Sequence, residues 1–172
     1  MKSFISIGLF LSYPILTIAQ EYSYINSGTD GEIHHPFYGL YDYSHNMYIF
    51  DKADLGNQEK EIFELTFELS SYGQDYVYHD LTIKMAHTSD SEFKSNARVD
   101  LSNINYSELT TCVNDYDLEI NSDGYITIPF STSFNYNGTS ILLIVVEIHD
   151  GDLSMGFFVA KGEYSSDFLS LY

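Results

Sequence analysis

The feature that most constrains this chain is an apolar period of two. In Glu61–Leu69, read EIFELTFEL, Phe63, Leu65, Phe67 and Leu69 alternate with Glu64, Thr66 and Glu68. Successive side chains of a strand point to opposite faces, so this segment makes a strand with one apolar and one wet face. Leu81, Ile83 and Met85 repeat the pattern against Thr82, Lys84 and Ala86, and Ile126, Ile128 and Phe130 repeat it again. Pro129 has no amide proton to give to a ladder, which places its strand at a sheet edge or puts the strand's end there. Ile141 to Ile148 (ILLIVVEI) reads as a continuous apolar run and predicts a central strand covered on both faces.

Further strand candidates are Tyr22 to Ile25, Tyr48 to Phe50, Leu109 to Val113, Leu118 to Ile120 and Met155 to Ala160. Ser27-Gly28, Asp30-Gly31, Asp123-Gly124, Asn137-Gly138 and Asp150-Gly151 supply the turns, with Asn137-Gly138 reading as a hairpin. Two single helical turns fit at Ala53-Asp54-Leu55 and Ser91-Glu92-Phe93. Short strands, regular turns and no long helical period predict an all-β, antiparallel β-sandwich, jelly-roll-like, of about nine strands.

The first twenty residues fit an export signal. Lys2 opens it, Phe4 to Leu16 is apolar, and Thr17-Ile18-Ala19 places small residues where a signal peptidase cuts, after Ala19. The run is shorter than the ~20 apolar residues of a spanning helix. Residues 20–172 then form a single module, secreted or on the outer cell surface. Its size suits one domain with a core.

The chain carries 25 acidic and 7 basic residues, a formal charge of −18. Such a surface repels phosphate backbones and anionic lipid, so nucleic acid and membrane are poor partners, whereas divalent cations are attracted. A single cysteine, Cys112, leaves no internal disulfide, and its place in LTTCV suits a buried strand position better than a nucleophile.

The ring-rich stretch His35 to Phe50 admits two readings. Tyr38, Tyr41 and Tyr43 can line a sugar-stacking surface, each ring packing on a pyranose while its hydroxyl stays wet. Alternatively Phe37, Tyr48 and Phe50 fill the core, the tyrosines edge it, and Pro36 and Gly39 set a structural corner. Calcium needs several oxygens on a loop; Asp150 and Asp152 around Gly151, and Asp30 with Glu32, are the candidate metal ligands. Adjacent His34 and His35 point to opposite faces of an extended segment, which argues against a zinc site with His45. His87 suits a hydrogen-bonded structural role, and no hydrolase frame is present, although a carboxylate pair in a small hydrolase stays open.

Three segments in order resemble a known family. PFYGLYDYS (36–44), MAHTSDSEF (85–93) and ITIPFSTSFNYNGTSILLIVVE (126–147) are similar to signatures of the secreted, adhesin-type jelly-roll modules of Bacteroidetes-type bacteria. Such modules occur beside fibronectin type III-like repeats in type IX-secreted surface proteins and in gingipain-like adhesin regions. The resemblance implies a non-catalytic module for adhesion or ligand binding, with a glycan or an extracellular protein as partner, or a structural spacer or assembly module. It also implies further domains of a longer parent chain and, in related modules, structural calcium. Met47 stands where the pattern has Gln, Tyr125 where it often has Trp, and the sequence stops at FLSLY where relatives continue.

Overall fold

The computed structural model describes residues 31–33, 36–37, 43–71, 75–91, 108–121, 124–151, 158–162 and 170–171. The predicted signal 1–19 and the strand at 22–25 lie outside them. The described residues are all-β, with no α-helix, arranged in two antiparallel sheets.

Six strands of eight residues or more carry the fold: β2 (Tyr43–Phe50), β3 (Glu59–Ser71), β4 (Tyr76–Thr88), β5 (Thr110–Ile120), β6 (Gly124–Asn137) and β7 (Ile141–His149). Three short segments extend the sheets: β1 (Gly31–Ile33), β8 (Phe158–Gly162) and β9 (Ser170–Leu171). One sheet has the order β1-β8-β3-β6, the other β5-β4-β7-β2-β9. Their facing sides share one core, to which the first contributes Leu69, Ile128, Phe134 and Tyr136, and the second Leu81, Ile83, Met85, Val113, Ile144 and Val146.

Alternation explains most of this placement. Ile83 and Met85 enter the core, as do Leu142, Ile144, Val146 and Ile148 of β7. The odd-numbered residues of β7 face the other way, and Leu143 and Val145 form a second buried cluster with Met47 and Ile49. β7 is therefore covered on both faces at the centre of its sheet, as the apolar run beginning at Ile141 predicts. Pro129 sits on β6, an edge strand, opposite Glu64. Cys112 is fully buried in β5, and burial pushes its thiol up to about 11.

Three local expectations are corrected. Phe63 does not join Leu65, Phe67 and Leu69 in the core: the register of β3 against β6 shifts between Ile62 and Glu64, so Ile62 packs inward and Phe63 is left 44% exposed. A break of register changes which side chains of a strand face the core. The segments predicted at Leu109–Val113 and Leu118–Ile120 merge, from Thr110 on, into one strand, β5, whose pairing with β4 shifts repeatedly around Asp115 (φ 48°) and Asp80 (φ 52°). Asn137-Gly138 is not a hairpin, because β6 pairs with β3 while β7 pairs with β4 and β2. The turn crosses from one sheet to the other.

That crossing is tightly built. Asn137 Oδ1 accepts the amides of Thr139 (3.0 Å) and Ser140 (2.9 Å), and Tyr136 donates its hydroxyl to Ser140 O at 2.5 Å. From the other sheet, His87 lays its ring 5.0 Å from that of Phe134, and its Nε2 accepts the Asn137 amide at 3.1 Å. The accepting nitrogen needs a lone pair, so the ring is neutral with its proton on Nδ1. Burial holds the His87 pKa below the ordinary 6.5. The unfolded chain therefore takes up a proton first, and stability declines as pH falls below about 6.5. We expect His87→Ala to cost ~1 kcal/mol at pH 7, the worth of one hydrogen bond, and to flatten that decline. Urea midpoints from pH 7.5 to 5 check both; a variant that keeps the full wild-type slope refutes the assignment.

At Asp51–Asn57 the predicted helical turn forms as a single turn. Asn57 N–H reaches Lys52 O (2.8 Å) and Gly56 N–H reaches Ala53 O (3.1 Å), the paired closing bonds of a helix C-terminus. It serves to drop Leu55, 3% exposed, into the core. The second predicted turn, at Ser91–Phe93, extends outside the described residues.

Candidate functional site

Antiparallel pairing brings the start of β2, the start of β4, and the ends of β5 and β7 to one end of the five-stranded sheet. Tyr43 opens β2 opposite His149, the last residue of β7. Their rings lie 5.8 Å apart, edge to face, and Tyr43 is 67% exposed. The next residue, Asp150, accepts the Tyr76 hydroxyl and, at 3.4 Å, the His79 amide. His79 Nδ1 lies 2.9 Å from Asp117 Oδ1.

Behind this surface the rings anchor the corner. Tyr76 packs edge-on against Tyr78 at 4.7 Å, and Tyr78 donates its hydroxyl to Phe37 O at 2.7 Å. Phe37 is fully buried and packs edge-on against Phe67 at 5.1 Å. Ser44 Oγ reaches back to Pro36 O at 3.4 Å. Tyr48 and Phe50 pack against the same core. The two readings of the ring-rich stretch therefore divide by position: Phe37, Tyr48 and Phe50 are structural, and Tyr43 presents its ring to solvent.

The structure places Tyr43 and Asp150 at the same end of the five-stranded sheet, Tyr43 against His149 and Asp150 against Tyr76 and His79 of β4. Tyr38, Tyr41, Asp30 and Asp152 lie outside the described residues. Glu32 sits on β1 in the other sheet, in register with Lys161. Both carboxylate oxygens of Asp150 already accept hydrogen bonds, and no group of three His, Cys, Asp or Glu that could hold a metal ion occurs among the described residues. His45 Nδ1–H donates to Glu147 Oε1 at 3.1 Å, and His34 and His35 lie outside the described residues. No helix among the described residues is long and apolar enough to cross a membrane.

A second polar cluster escaped the sequence reading. On the outward side of β7, Glu147 receives His45 from β2 and, at 2.6 Å, Lys84 Nζ from β4. Its side chain is only 12% exposed. The His45 hydrogen bond, reinforced by Lys84 against the opposing effect of burial, holds the Glu147 carboxyl down at about 2. The signal was a single carboxylate inside an apolar run, which alternation alone assigns to the same face as Leu143 and Val145. Its partners are set by strand order, which no local pattern encodes. His45 Nε2 is buried without a hydrogen-bond partner.

No family model matches the chain, and no curated protein or solved structure is significantly similar to it.

Proposed function

We propose that this chain is an exported, non-catalytic β-sandwich module of jelly-roll topology, secreted or held at the outer surface of a bacterium, that binds extracellular glycan at the Tyr43 end of its five-stranded sheet. The strand order favours the topology. Two interleaved Greek keys of eight strands produce sheets ordered β1-β8-β3-β6 and β5-β4-β7-β2, which is the order found once β9 is set aside. Export rests on the leader-like first nineteen residues, and the adhesin-type assignment on the three ordered segments that resemble that family.

The observation that carries the ligand class is an exposed tyrosine ring set beside a histidine ring at the end of the sheet. Tyr43 offers an apolar face to the C–H side of a sugar, while the His149 ring beside it offers a polar group for its hydroxyls. The Asp150 carboxylate braces this end by tying β7 to β4 instead of standing free as an acid or base. The net charge of −18 favours neutral glycans over sulfated or phosphorylated ones. Calcium at Asp30, Glu32, Asp150 and Asp152 remains part of this reading only as a structural ion; the two bonds already on Asp150 weigh against it.

A glycan array with the folded module tests the reading. We expect selective binding that Tyr43→Ala weakens by about tenfold, the worth of one ring contact, with an unchanged urea midpoint because the residue is exposed. Uniform failure on glycans and on matrix proteins would leave the spacer or assembly role. That role has its own support in the way β9 sits on β2.

A further inference from the structure

Both sheets end in edge strands, β1 and β6 in one, β5 and β9 in the other, each short, kinked or interrupted. β6 carries Pro129 in mid-strand and a register shift beside it. β1 is three residues long. β5 is kinked at Asp115, with exposed Asn114, Asp115, Asp117 and Glu119 along it. Proline, bulges, charge and shortness are the usual defences against a foreign strand.

β2, beneath the two-residue edge strand β9, has none of these devices. Tyr43–Phe50 contains no proline, glycine, lysine or carboxylate, and pairs with β7 over all eight residues without a register shift. Met47 and Ile49 are buried at 1% and 5% exposure. On its free side, among the described residues, it is met only by β9, through Met47↔Leu171 and Tyr48↔Ser170. Asn46, fully buried and one residue from that pair, has an Oδ1 without a hydrogen-bond partner. Among the described residues, the free side of this eight-residue strand is thus met by two residues, and the strand before them in the chain, β8, belongs to the other sheet.

We propose that β2 is a strand-acceptor edge and that β9 is its exchangeable occupant, so that two copies of this chain pair by trading Ser170–Leu171, each strand lying on the β2 of the other. Exchange keeps every backbone hydrogen bond and the same register, so little intrinsic free energy opposes it and concentration sets the balance. Recognition is by main-chain hydrogen bonding along the edge, with the β2 side chains fixing register. This inference does not depend on the glycan reading.

The register supplies the test. Facing residues of antiparallel strands have Cα atoms ~4.5–5.5 Å apart, within disulfide reach. Met47→Cys and Leu171→Cys are made as two separate full-length variants, mixed, incubated and oxidised; buried Cys112, with its thiol pushed up to about 11, does not compete. We expect a mixed disulfide dimer on non-reducing gels, its fraction rising with concentration and falling when unmodified chain is added in excess. The Tyr48→Cys and Ser170→Cys mixture is expected to behave alike and stands in if a Met47 variant does not fold. Cross-linking only within a chain carrying both cysteines, with none between mixed chains at any concentration, overturns the proposal. Dimers of Met47→Cys alone, which mean β2-to-β2 pairing, overturn it too. Neither result bears on glycan binding, and a blank glycan array leaves the exchange standing.

Discussion

Gly138→Ala is expected to destabilise the protein by about 3 kcal/mol, lowering its midpoint of thermal unfolding by roughly 6–12 °C. Two separate causes add. Gly138 has φ 71°, in the left-handed region, where a side chain costs about 1–2 kcal/mol. A Cβ there would also lie 2.6 Å from the carbonyl carbon of Gln58 and 2.6 Å from the amide nitrogen of Glu59. Both atoms are backbone, and Glu59 is paired with Asn137 in the β3–β6 ladder. The clash cannot be relieved by a rotamer; it must shift a strand or open the crossing, an overpacking cost of about 1–3 kcal/mol.

The control is Gly151→Ala. Gly151 has φ 72°, nearly the same backbone conformation, yet a Cβ there meets nothing within 4 Å. It should carry the conformational cost alone, about 1 kcal/mol. The gap between the two variants isolates the contact at the sheet crossing. Differential scanning calorimetry or urea midpoints read it directly. Equal losses at the two glycines would mean that the chain before β3 does not press on this turn as described.

The same turn shows what the sequence disclosed and what it withheld. Asn137-Gly138 was legible as a turn, because an αL glycine after a side-chain acceptor is local chemistry. That it joins two sheets was not, since whether adjacent strands pair is decided by partners elsewhere in the chain. Alternation located Ile83, Met85, Ile144 and Val146 in the core, since each faces the side its period assigns. It failed at Phe63, where the register against β6 breaks and four β6 residues lie opposite this one, and at Asp115, where a left-handed residue bends one strand that reads as two. Pro129 was informative for a covalent reason: a residue without an amide proton belongs at an edge, and β6 is one.

Of the candidate site, the ring-rich stretch His35 to Phe50 offered Tyr43 as a surface ring but could not separate it from Phe37. Both are rings near the same turn; what divides them is that Phe37 O receives the Tyr78 hydroxyl while Tyr43 stands over His149. These are contacts between residues more than forty and more than a hundred positions apart. Asp150 was found through its glycine neighbour, as a loop carboxylate. Its bonds to Tyr76 and His79, which turn it from a candidate ligand into a brace, follow from β4 lying beside β7.

Replacing Glu147 has the other large effect, and its sign with pH can be worked out. The carboxylate lies between His45 and Lys84, each only about a quarter exposed. In Glu147→Gln the shape is kept and the charge is lost, so the Lys84 ammonium remains partly buried without its counter-ion. We expect a loss of about 2–3 kcal/mol at pH 7, somewhat below the range for breaking a fully buried pair. The carboxyl titrates near 4.5 when unfolded and is held at about 2 in the fold. A depressed acid stabilises above its unfolded value and loses that contribution as pH falls through its folded value. The linkage corresponds to at most about 3 kcal/mol, of which roughly two-fifths remains at pH 3. Wild type and Glu147→Gln should therefore differ clearly in urea midpoint at pH 7 and converge toward pH 3, while Lys84→Met should weaken the same pH dependence without abolishing it, because the His45 bond persists. A midpoint difference that stays constant from pH 7 to pH 3 would show that Glu147 contributes by packing alone, and the outward face of β7 would then owe its order to Met47, Ile49, Leu143 and Val145 and not to this ion cluster.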